Sequence, residues 1–218
     1  ENAGLSSTAI SISNPLVQEE SLLRTSLMPG QLKIISYNQS HRIKKLKFFE
    51  IGHVYLPSED DQLLPDEREY LSISIAGGDA TEIVAILDMI SLTMAFPNMQ
   101  LKQQEIEGLH PGRSAQVFVA GQERGAVGEI DPRVLRNYGI DDSVAWLELD
   151  LGSILAGPFG KKKYTSVSKY PSSDIDLAFE VPDDTSSASV AGCLRKAGGT
   201  YLKEVQLFDS YKADTANE

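Results

Sequence analysis

The strongest constraint on the fold is a series of short apolar runs that alternate with polar residues and stop at glycines. One such run is "YLSISIAGG" (70–78), and two more, "AQVFVAG" and "AVGEI", are separated only by "QERG" (122–125). Alternation with a period of two predicts half-buried strands, and the short connection predicts an antiparallel hairpin. Further strands are predicted at "KLKFFEIGHVYL" and "SVAWLELDL". The sequence therefore favours a mainly antiparallel sheet.

Helix signals lie between these strands, so the predicted fold class is α+β. Pro29 suits the first turn of a helix through "PGQLKIISYNQ". Asp79, followed three residues later by Glu82, predicts a capping box before an apolar helix. Asp131 predicts the start of a further helix, and Gly139 its end. The acidic run "EDDQLLPDER" (59–68) predicts a solvated loop.

A linker-like stretch, "GPFGKKKYTSVSKYPSS" (157–173), suggests a boundary between a domain at 1–160 and a second at 161–218. The second part predicts a strand "DIDLAFEV", a helix "SSASVAGCLRKAGG" and a strand "YLKEVQLFDSY", which is the β-α-β half of a ferredoxin-like fold. Alternation puts four apolar side chains on the face of the first strand that should cover the helix: Ile175, Leu177, Phe179 and Val181.

Charge and composition exclude several classes of function. The 218 residues carry a net charge of −11, with nearly all of the acidic excess in residues 1–160, so only the tail is suited to nucleic acid. No apolar run reaches the roughly 20 residues that span a bilayer, and no signal peptide opens the chain, so we expect a soluble, cytoplasmic protein without a membrane partner. Cys193 is the single cysteine, which excludes an internal disulfide, and we expect a buried, inert thiol.

No motif in the sequence predicts catalysis. The three histidines are scattered and suggest no metal site, and P-loop, GxGxxG and HExxH motifs are absent. A trio of Ser114, His110 and Asp131 has no spacing that favours it over chance. The run "HPGRS" is either a structural loop or the relic of a ligand site. We favour the structural loop, in which Gly112 permits a tight turn and Arg113 pairs with a nearby carboxylate or carbonyl group.

Several runs in order resemble one family: "NPLVQEESLLRTSLMPGQL", "LKFFEIGHVY", "LHPGRSA", "GAVGEIDPRV" and "SKYPSSDIDLAFEV...LFDSY". Together they resemble the C-terminal part of the bacterial phenylalanine-tRNA ligase beta subunit, from residue 14 to residue 211. The resemblance implies a non-catalytic copy of the class II synthetase fold followed by the start of a ferredoxin-like anticodon-binding domain.

The resemblance also implies that the catalytic residues of class II synthetases are lost. That class uses an arginine in an Arg-x-Glu motif and a second arginine in a glycine-rich motif that ends in Glu-Arg, and both hold ATP phosphates. Here Phe48 stands two residues before Glu50. Glu123 and Arg124 lack the preceding glycine spacing, so we expect them to be exposed turn residues and assign no catalytic residue.

The partners implied by the resemblance are the phenylalanine-tRNA ligase alpha subunit, in an (αβ)2 heterotetramer, and tRNA(Phe). The assembled ligase uses ATP and Mg2+ to attach phenylalanine to tRNA, and this segment holds no cofactor itself. Four leucines are candidates either for the alpha-subunit interface or for the domain's own core: Leu22, Leu23, Leu27 and Leu32.

Candidate tRNA contacts lie in the linker and the second domain, where basic side chains can meet phosphates and an aromatic ring can stack on a base. These candidates are Lys161, Lys162, Lys163, Lys169, Arg195, Lys196 and Phe208. The family usually has an Arg-Asp pair where this chain has Ile175 and Asp176, so one expected positive charge is missing.

Two other functions stay open. In the first, the chain is a free-standing adaptor or regulatory binding protein derived from the beta subunit. A natural chain much shorter than the beta subunit would favour this hypothesis. A third hypothesis is an independent enzyme that uses the "HPGRS" run, and it predicts turnover by the isolated chain.

Overall fold

A computed structural model describes residues 3, 5, 9–15, 21–58, 64–157, 164, 169–182, 185–209 and 211 of the chain. The chain divides into two compact units, Glu1–Tyr164 and Thr165–Glu218. Within the described residues, all the named strands belong to the first unit.

The first unit is built on one six-stranded antiparallel sheet in the order β1-β2-β6-β5-β4-β3. Its strands are β1 Leu46–Leu56, β2 Asp66–Ala76, β3 Gln100–Gln103, β4 Leu109–Val119, β5 Gln122–Ile130 and β6 Val144–Asp150. The helices are α1 Met28–Ser40, α2 Ala80–Met94, α3 Pro132–Asn137 and α4 Leu151–Ala156, with α5 Ser187–Gly198 in the second unit. The predicted α+β class with a mainly antiparallel sheet is confirmed.

The helix boundaries follow from local side-chain chemistry. Pro29 lies in the first turn of α1, where its missing N–H costs no hydrogen bond. The Asp79 carboxylate accepts from the backbone N–H of Glu82 at 2.9 Å and caps α2. The Glu82 side chain does not complete the predicted capping box, because it binds Lys47. Asp131 caps α3 by accepting from the N–H of Arg133 at 2.7 Å.

Apolar side chains cover the sheet on both faces. On the first face, α1 and α3 pack on the sheet in a cluster that includes Met28, Leu32, Ile35 and Trp146. On the second face, Ile83 and Leu87 of α2 and Ile154 of α4 pack against apolar strand residues. β6 lies in the middle of the sheet and is buried along its whole length.

Buried polar groups join α1 to the first face. The backbone N–H of Leu27 and the Ser26 hydroxyl donate to Glu148 Oε2 at 2.8 and 3.1 Å. Gln31 is 0% exposed, and its amide donates to the carbonyl of Ser72 at 3.2 Å. The hydroxyls of Ser72 and Ser74 both donate to Gln31 Oε1. These bonds satisfy groups that would otherwise be costly to bury.

Two sequence predictions about loops are wrong in position. The hairpin between β4 and β5 turns at Ala120 and Gly121, with φ of 53° and 78°, so 122–125 belongs to a strand. Two central residues with positive φ match the twist of the flanking strands better than the predicted turn does. In addition, β2 begins at Asp66, because its pairing with β1 extends into the run predicted as a solvated loop at 59–68.

In the second unit the predicted helix is confirmed as α5, but the two predicted strands are wrong, since no ladder forms over 171–182 or 202–209. The four apolar side chains expected to cover the helix are exposed, and α5 buries no residue. A split β-α-β unit leaves a gap between its strands for another strand, and no described residue fills it. For the same reason Cys193 is exposed, contrary to the prediction of a buried thiol.

The "HPGRS" run lies inside β4 as an irregular segment. Leu109 pairs with Ile130 and Ser114 with Gly128, so residues 110–113 bulge out of the ladder. Arg113 binds the Glu129 carboxylate at 2.7 Å, and the N–H of Gly112 donates to His110 Nδ1 at 3.1 Å. The pKa of Arg113 is raised by this hydrogen bond to Glu129.

The expectation that Gly112 supplies a special backbone geometry is wrong, because it is not among the glycines with positive φ. A Cβ at Gly112 would meet nothing closer than the His110 ring at 3.7 Å. The glycine that this segment requires is Gly128 on the neighbouring strand, where a Cβ would lie 2.8 Å from the Cα of Ser114.

Alanine substitution should therefore reduce stability at Gly128 and leave it nearly unchanged at Gly112. We expect Gly128→Ala to lower the free energy of unfolding by about 1–3 kcal/mol, because the new methyl group overlaps backbone atoms that cannot turn away. Gly112→Ala, the matched control, should change it by less than about 0.5 kcal/mol. Urea denaturation measures both values, and an equal loss in the two variants would contradict this assignment.

The buried Glu148 carboxyl should make stability depend on pH. Burial raises its pKa from 4.5 to about 7, so between these values the folded chain binds more protons than the unfolded chain. The stability that the protonated Glu148 carboxyl contributes to the fold is fully present below about pH 4.5 and is lost above about pH 7. We expect the free energy of unfolding to fall by up to about 3 kcal/mol across this window, since one pKa unit corresponds to about 1.4 kcal/mol.

Glu148→Gln is the matched variant for this measurement, because its amide oxygen still accepts from Leu27 and Ser26 but does not titrate. Urea denaturation at a series of pH values gives one slope for each protein. Other carboxyl groups contribute equally to both, so the difference isolates Glu148. The prediction fails if the two slopes are the same.

Candidate functional site

Phe48 and Glu50 stand where class II synthetases have the ATP-binding Arg-x-Glu motif, and the arginine beside them is not free. Phe48 lies on β1 and packs against the apolar cluster under α1. The Glu50 carboxylate is bound by Arg24 Nη1 at 2.7 Å, and Arg24 Nε donates to the carbonyl oxygen of His53 at 2.7 Å. This guanidinium is therefore held by the chain itself, and the apolar ring of Phe48 has no charge to offer a phosphate.

Arg124 is the residue compared with the second ATP-binding arginine of class II synthetases. The expectation that Glu123 and Arg124 are exposed turn residues is wrong, because both lie on β5 and only Glu123 is exposed. Val117 pairs with Gly125 and Phe118 with Glu123, which leaves Arg124 as the extra residue of a bulge in β5. Its side chain is half-buried, contacts Gln122, and lies 4.0 Å from Asp150. The bulge turns Arg124 toward the first face of the sheet.

A pocket of about 220 Å³ opens beside Arg124 on this face. Its lining consists of Arg68, Tyr70, Gln116, Glu123, Arg124, Gly125, Ala126, Trp146, Glu148 and Asp150. Burial raises the pKa of Tyr70, with a further contribution from the charge of Asp150. The Asp66 hydrogen bond raises the pKa of Arg68. Serine, cysteine and histidine are absent from this lining.

A second, open groove of about 570 Å³ lies beside the "HPGRS" segment, between Glu105 and Asn137. Arg133 on its wall binds both carboxylate oxygens of Asp131, with Nε donating to Oδ1 and Nη2 to Oδ2. This hydrogen bonding lowers the pKa of Asp131 and keeps the carboxylate ionised. The pairing occupies Arg133, the one basic side chain of the lining, which also contains Glu105 and Glu107.

Metal and membrane sites are not seen in the described part of the chain. Among those residues, no group of three His, Cys, Asp or Glu side chains is arranged to hold a metal ion. The same residues form no helix with the length and apolar character that crossing a membrane requires.

The four candidate interface leucines fall into two groups. Leu27 and Leu32 are each 1% exposed and contribute to the core of the first unit, which is the alternative that the sequence left open. Leu22 is 59% exposed, and Leu23 is half-buried, with its N–H donating to the carbonyl of Ile10 at 2.8 Å. Of the four, Leu22 offers the most surface to another chain.

The candidate tRNA contacts are described only in part. Lys161, Lys162 and Lys163 lie outside the described residues. Lys169 is exposed, and Arg195 and Lys196 are exposed in the last turn of α5. Phe208 is 72% exposed. Asp176 and Glu180 are exposed in the same unit, so the second unit presents both signs of charge.

Sequence reasoning missed the polar residues on the first face of the sheet. Glu148 and Asp150 lie at alternate positions of β6, and their burial places acidic groups inside the fold. The available signal was the pattern "WLELD", in which every second residue of an apolar strand is polar or aromatic. Arg24 gave no such signal, because its partner Glu50 is distant in sequence.

Known proteins match both units. Residues 2–151 match the family described as the phenylalanyl tRNA synthetase beta chain CLM domain, and residues 168–218 match the ferredoxin-fold anticodon binding domain. The phenylalanine–tRNA ligase beta subunits of Clostridium tetani and Lactiplantibacillus plantarum are 34% and 31% identical over 93% and 90% of the chain. The chain spans about a quarter of their length, 26% in each case.

A solved structure supports the fold. The pyrrolysyl tRNA synthetase PylSc of Desulfitobacterium hafniense matches with a TM-score of 0.53 and 18% identity, over 67% of this chain and 51% of that one. At this identity the match shows the fold alone. The family match over residues 2–151, more than half of the chain, decides the assignment: the chain belongs to the phenylalanyl-tRNA synthetase beta chain family.

Proposed function

We propose that this chain is a non-catalytic part of a phenylalanine-tRNA ligase beta subunit that assembles with the alpha subunit and helps to hold tRNA. The observation that carries the proposal is the match of one chain to the beta-chain CLM domain and, directly after it, to an anticodon-binding domain. The reaction of the assembled ligase is the ATP-dependent attachment of phenylalanine to tRNA, and the alpha subunit performs it.

The residues of this chain do not fit an ATP–Mg2+ site of the class II type. Phe48 is apolar where an arginine is needed, and Arg24 is already bound to Glu50. No group of three metal-ligating side chains occurs in the described ranges. We therefore assign ATP and Mg2+ to the partner subunit and no catalytic step to this chain.

The segment around Leu22 supports a role in assembly. Residues 10–12 and 21–23 pair backbone to backbone, with Ile12 N–H donating to the carbonyl of Ser21 at 2.8 Å. This pairing fixes Leu22 in place while its side chain stays exposed. A large apolar side chain on an ordered backbone loses little entropy when a partner covers it, so it suits an anchor residue of an interface.

The end of α5 supports a role in tRNA binding. Arg195 and Lys196 are adjacent, exposed and at the C-terminal end of the helix, where the helix dipole favours positive charge. Two cations at one point can contact phosphates, a contact that positions RNA without selecting its sequence. Phe208 offers an exposed ring for stacking on an unpaired base.

The experiment that tests assembly is light scattering on a size-exclusion column, with the chain alone and then with the phenylalanine-tRNA ligase alpha subunit of the same source. A stable complex is expected. Separate elution at micromolar concentrations would contradict assembly through this chain and favour an adaptor with another partner.

We expect Leu22→Asp to weaken binding to the alpha subunit by about tenfold or more, because an interface would bury the introduced carboxylate without a partner. The matched control is Leu64→Asp, since Leu64 is also a strongly exposed leucine of the first unit. Binding is measured by titration calorimetry. Equal affinities for the two variants would remove Leu22 from the interface.

We expect replacing both Arg195 and Lys196 by alanine to weaken tRNA binding by the assembled ligase several-fold, because two phosphate contacts are lost. The slope of log affinity against log salt concentration should fall by about two. The control replaces Lys44 and Lys45, an adjacent exposed basic pair in the first unit. Filter binding over a range of salt concentrations measures both, and an unchanged slope for the α5 variant would exclude these contacts.

A further inference from the structure

Residues 10–12 and 21–23, here called the N-terminal bridge, pair with each other beside the sheet. Two backbone hydrogen bonds of 2.8 Å join them, and an antiparallel bridge pairs Ser11 with Leu22. An isolated pair of strands is marginally stable at best in water, and these two segments are shorter than ordinary strands. The order of the N-terminal bridge therefore depends on what attaches it to the rest of the first unit.

Arg24, the residue that follows the N-terminal bridge, attaches it to β1. Its carbonyl accepts from the N–H of Tyr55 at 2.8 Å, its Nε donates to the carbonyl of His53 at 2.7 Å, and its Nη1 donates to Glu50 Oε1 at 2.7 Å. The two side-chain bonds come from one charged, planar group, so they fix the orientation of the guanidinium as well as its position.

Space for this guanidinium exists because residue 52 is a glycine. A Cβ at Gly52 would overlap Nη2 of Arg24 and would lie 3.2 Å from Oε1 of Glu50. The overlapping atom is the far end of a flexible side chain, and Gly52 is not among the glycines with positive φ. A methyl group at this position is therefore accommodated by displacement of the guanidinium, while the backbone of β1 keeps its conformation.

We propose that Arg24 and Gly52 are positioning residues for partner binding. The guanidinium that lies over Gly52 orders the N-terminal bridge and thereby presents Leu22, which is 59% exposed, to the alpha subunit. This inference rests on the proposed role in assembly. An anchor that is ordered before binding lowers the entropy cost of association, so a loosened bridge binds more weakly even when every interface side chain is kept.

Hydrogen exchange of the chain alone tests the ordering. The amides of Ile12 and Leu23 donate the two bonds of the N-terminal bridge, and Leu147 lies in the central strand β6. We expect Arg24→Ala and Gly52→Ala each to accelerate exchange at Ile12 and Leu23 by about tenfold, the loss expected for a charge-assisted hydrogen bond. Strain confined to β1 would instead accelerate exchange at Leu147 and not at the bridge amides, because it would act equally whether the bridge is open or closed.

A double variant shows whether the glycine acts through the arginine. If the methyl group only displaces the guanidinium, Gly52→Ala should have no further effect on Leu23 exchange in a chain that already carries Arg24→Ala. The matched control is Gly112→Ala, because a Cβ there would meet nothing closer than 3.7 Å, and it should leave Leu23 exchange unchanged. Should Arg24→Ala fail to fold, the comparison of Gly52→Ala with Gly112→Ala still decides.

Titration calorimetry with the alpha subunit measures the consequence for the partner. Apparent affinity falls with the fraction of chains in the binding-competent state. We expect Arg24→Ala and Gly52→Ala each to bind several-fold more weakly, by up to about tenfold, and Gly112→Ala to bind as the unmodified chain does.

Three results would overturn the proposal. The first is equal exchange at Leu23 in Gly52→Ala and Gly112→Ala. The second is an effect of Gly52→Ala that is as large with alanine at position 24 as with arginine. The third is a loosened bridge with unchanged affinity for the alpha subunit. An unmodified chain that does not bind the alpha subunit would overturn the proposed function and with it the partner named here, and the exchange results would still decide the ordering of the bridge.

Discussion

The buried Glu148 carboxyl holds the first turn of α1 against the middle of the sheet, since one of its oxygens accepts from Leu27 N–H and from the Ser26 hydroxyl. One turn along, the fully buried Gln31 bonds to two serines of β2. Sliding the helix would leave these groups unpaired in a medium of low dielectric constant, so the polar contacts permit one register. The apolar packing of Met28, Leu32 and Ile35 follows from that register.

This placement of α1 divides the first face of the sheet into a covered part and an open part. The covered part includes Phe48, so the position compared with a phosphate-binding arginine lies inside a hydrophobic cluster. The open part keeps charged and polar side chains around the pocket beside Arg124. The first face thus combines an apolar cluster around Phe48 with a concave polar surface beside Arg124.

The sequence predicted those elements whose signals are local. Strand alternation in the first unit, the cap at Asp79 and the proline in α1 each act within a few residues, and these predictions are confirmed. The site could not be predicted in the same way. Arg24 meets Glu50, and Glu148 meets Leu27, only because the chain returns to the same face after many residues. The prediction of two strands in the second unit is wrong for a related reason. A strand needs a neighbouring strand, and local alternation cannot show whether one is present.

The segment before α1 also closes part of the free edge of β1. The N–H of Tyr55 donates to the carbonyl of Arg24 at 2.8 Å, and the Arg24 side chain occupies the carbonyl of His53. At the opposite end of the sheet, β3 has only four residues. Unpaired strand edges are templates on which other chains can add strands and aggregate. With one edge short and the other partly covered, the sheet is protected against edge-to-edge polymerisation.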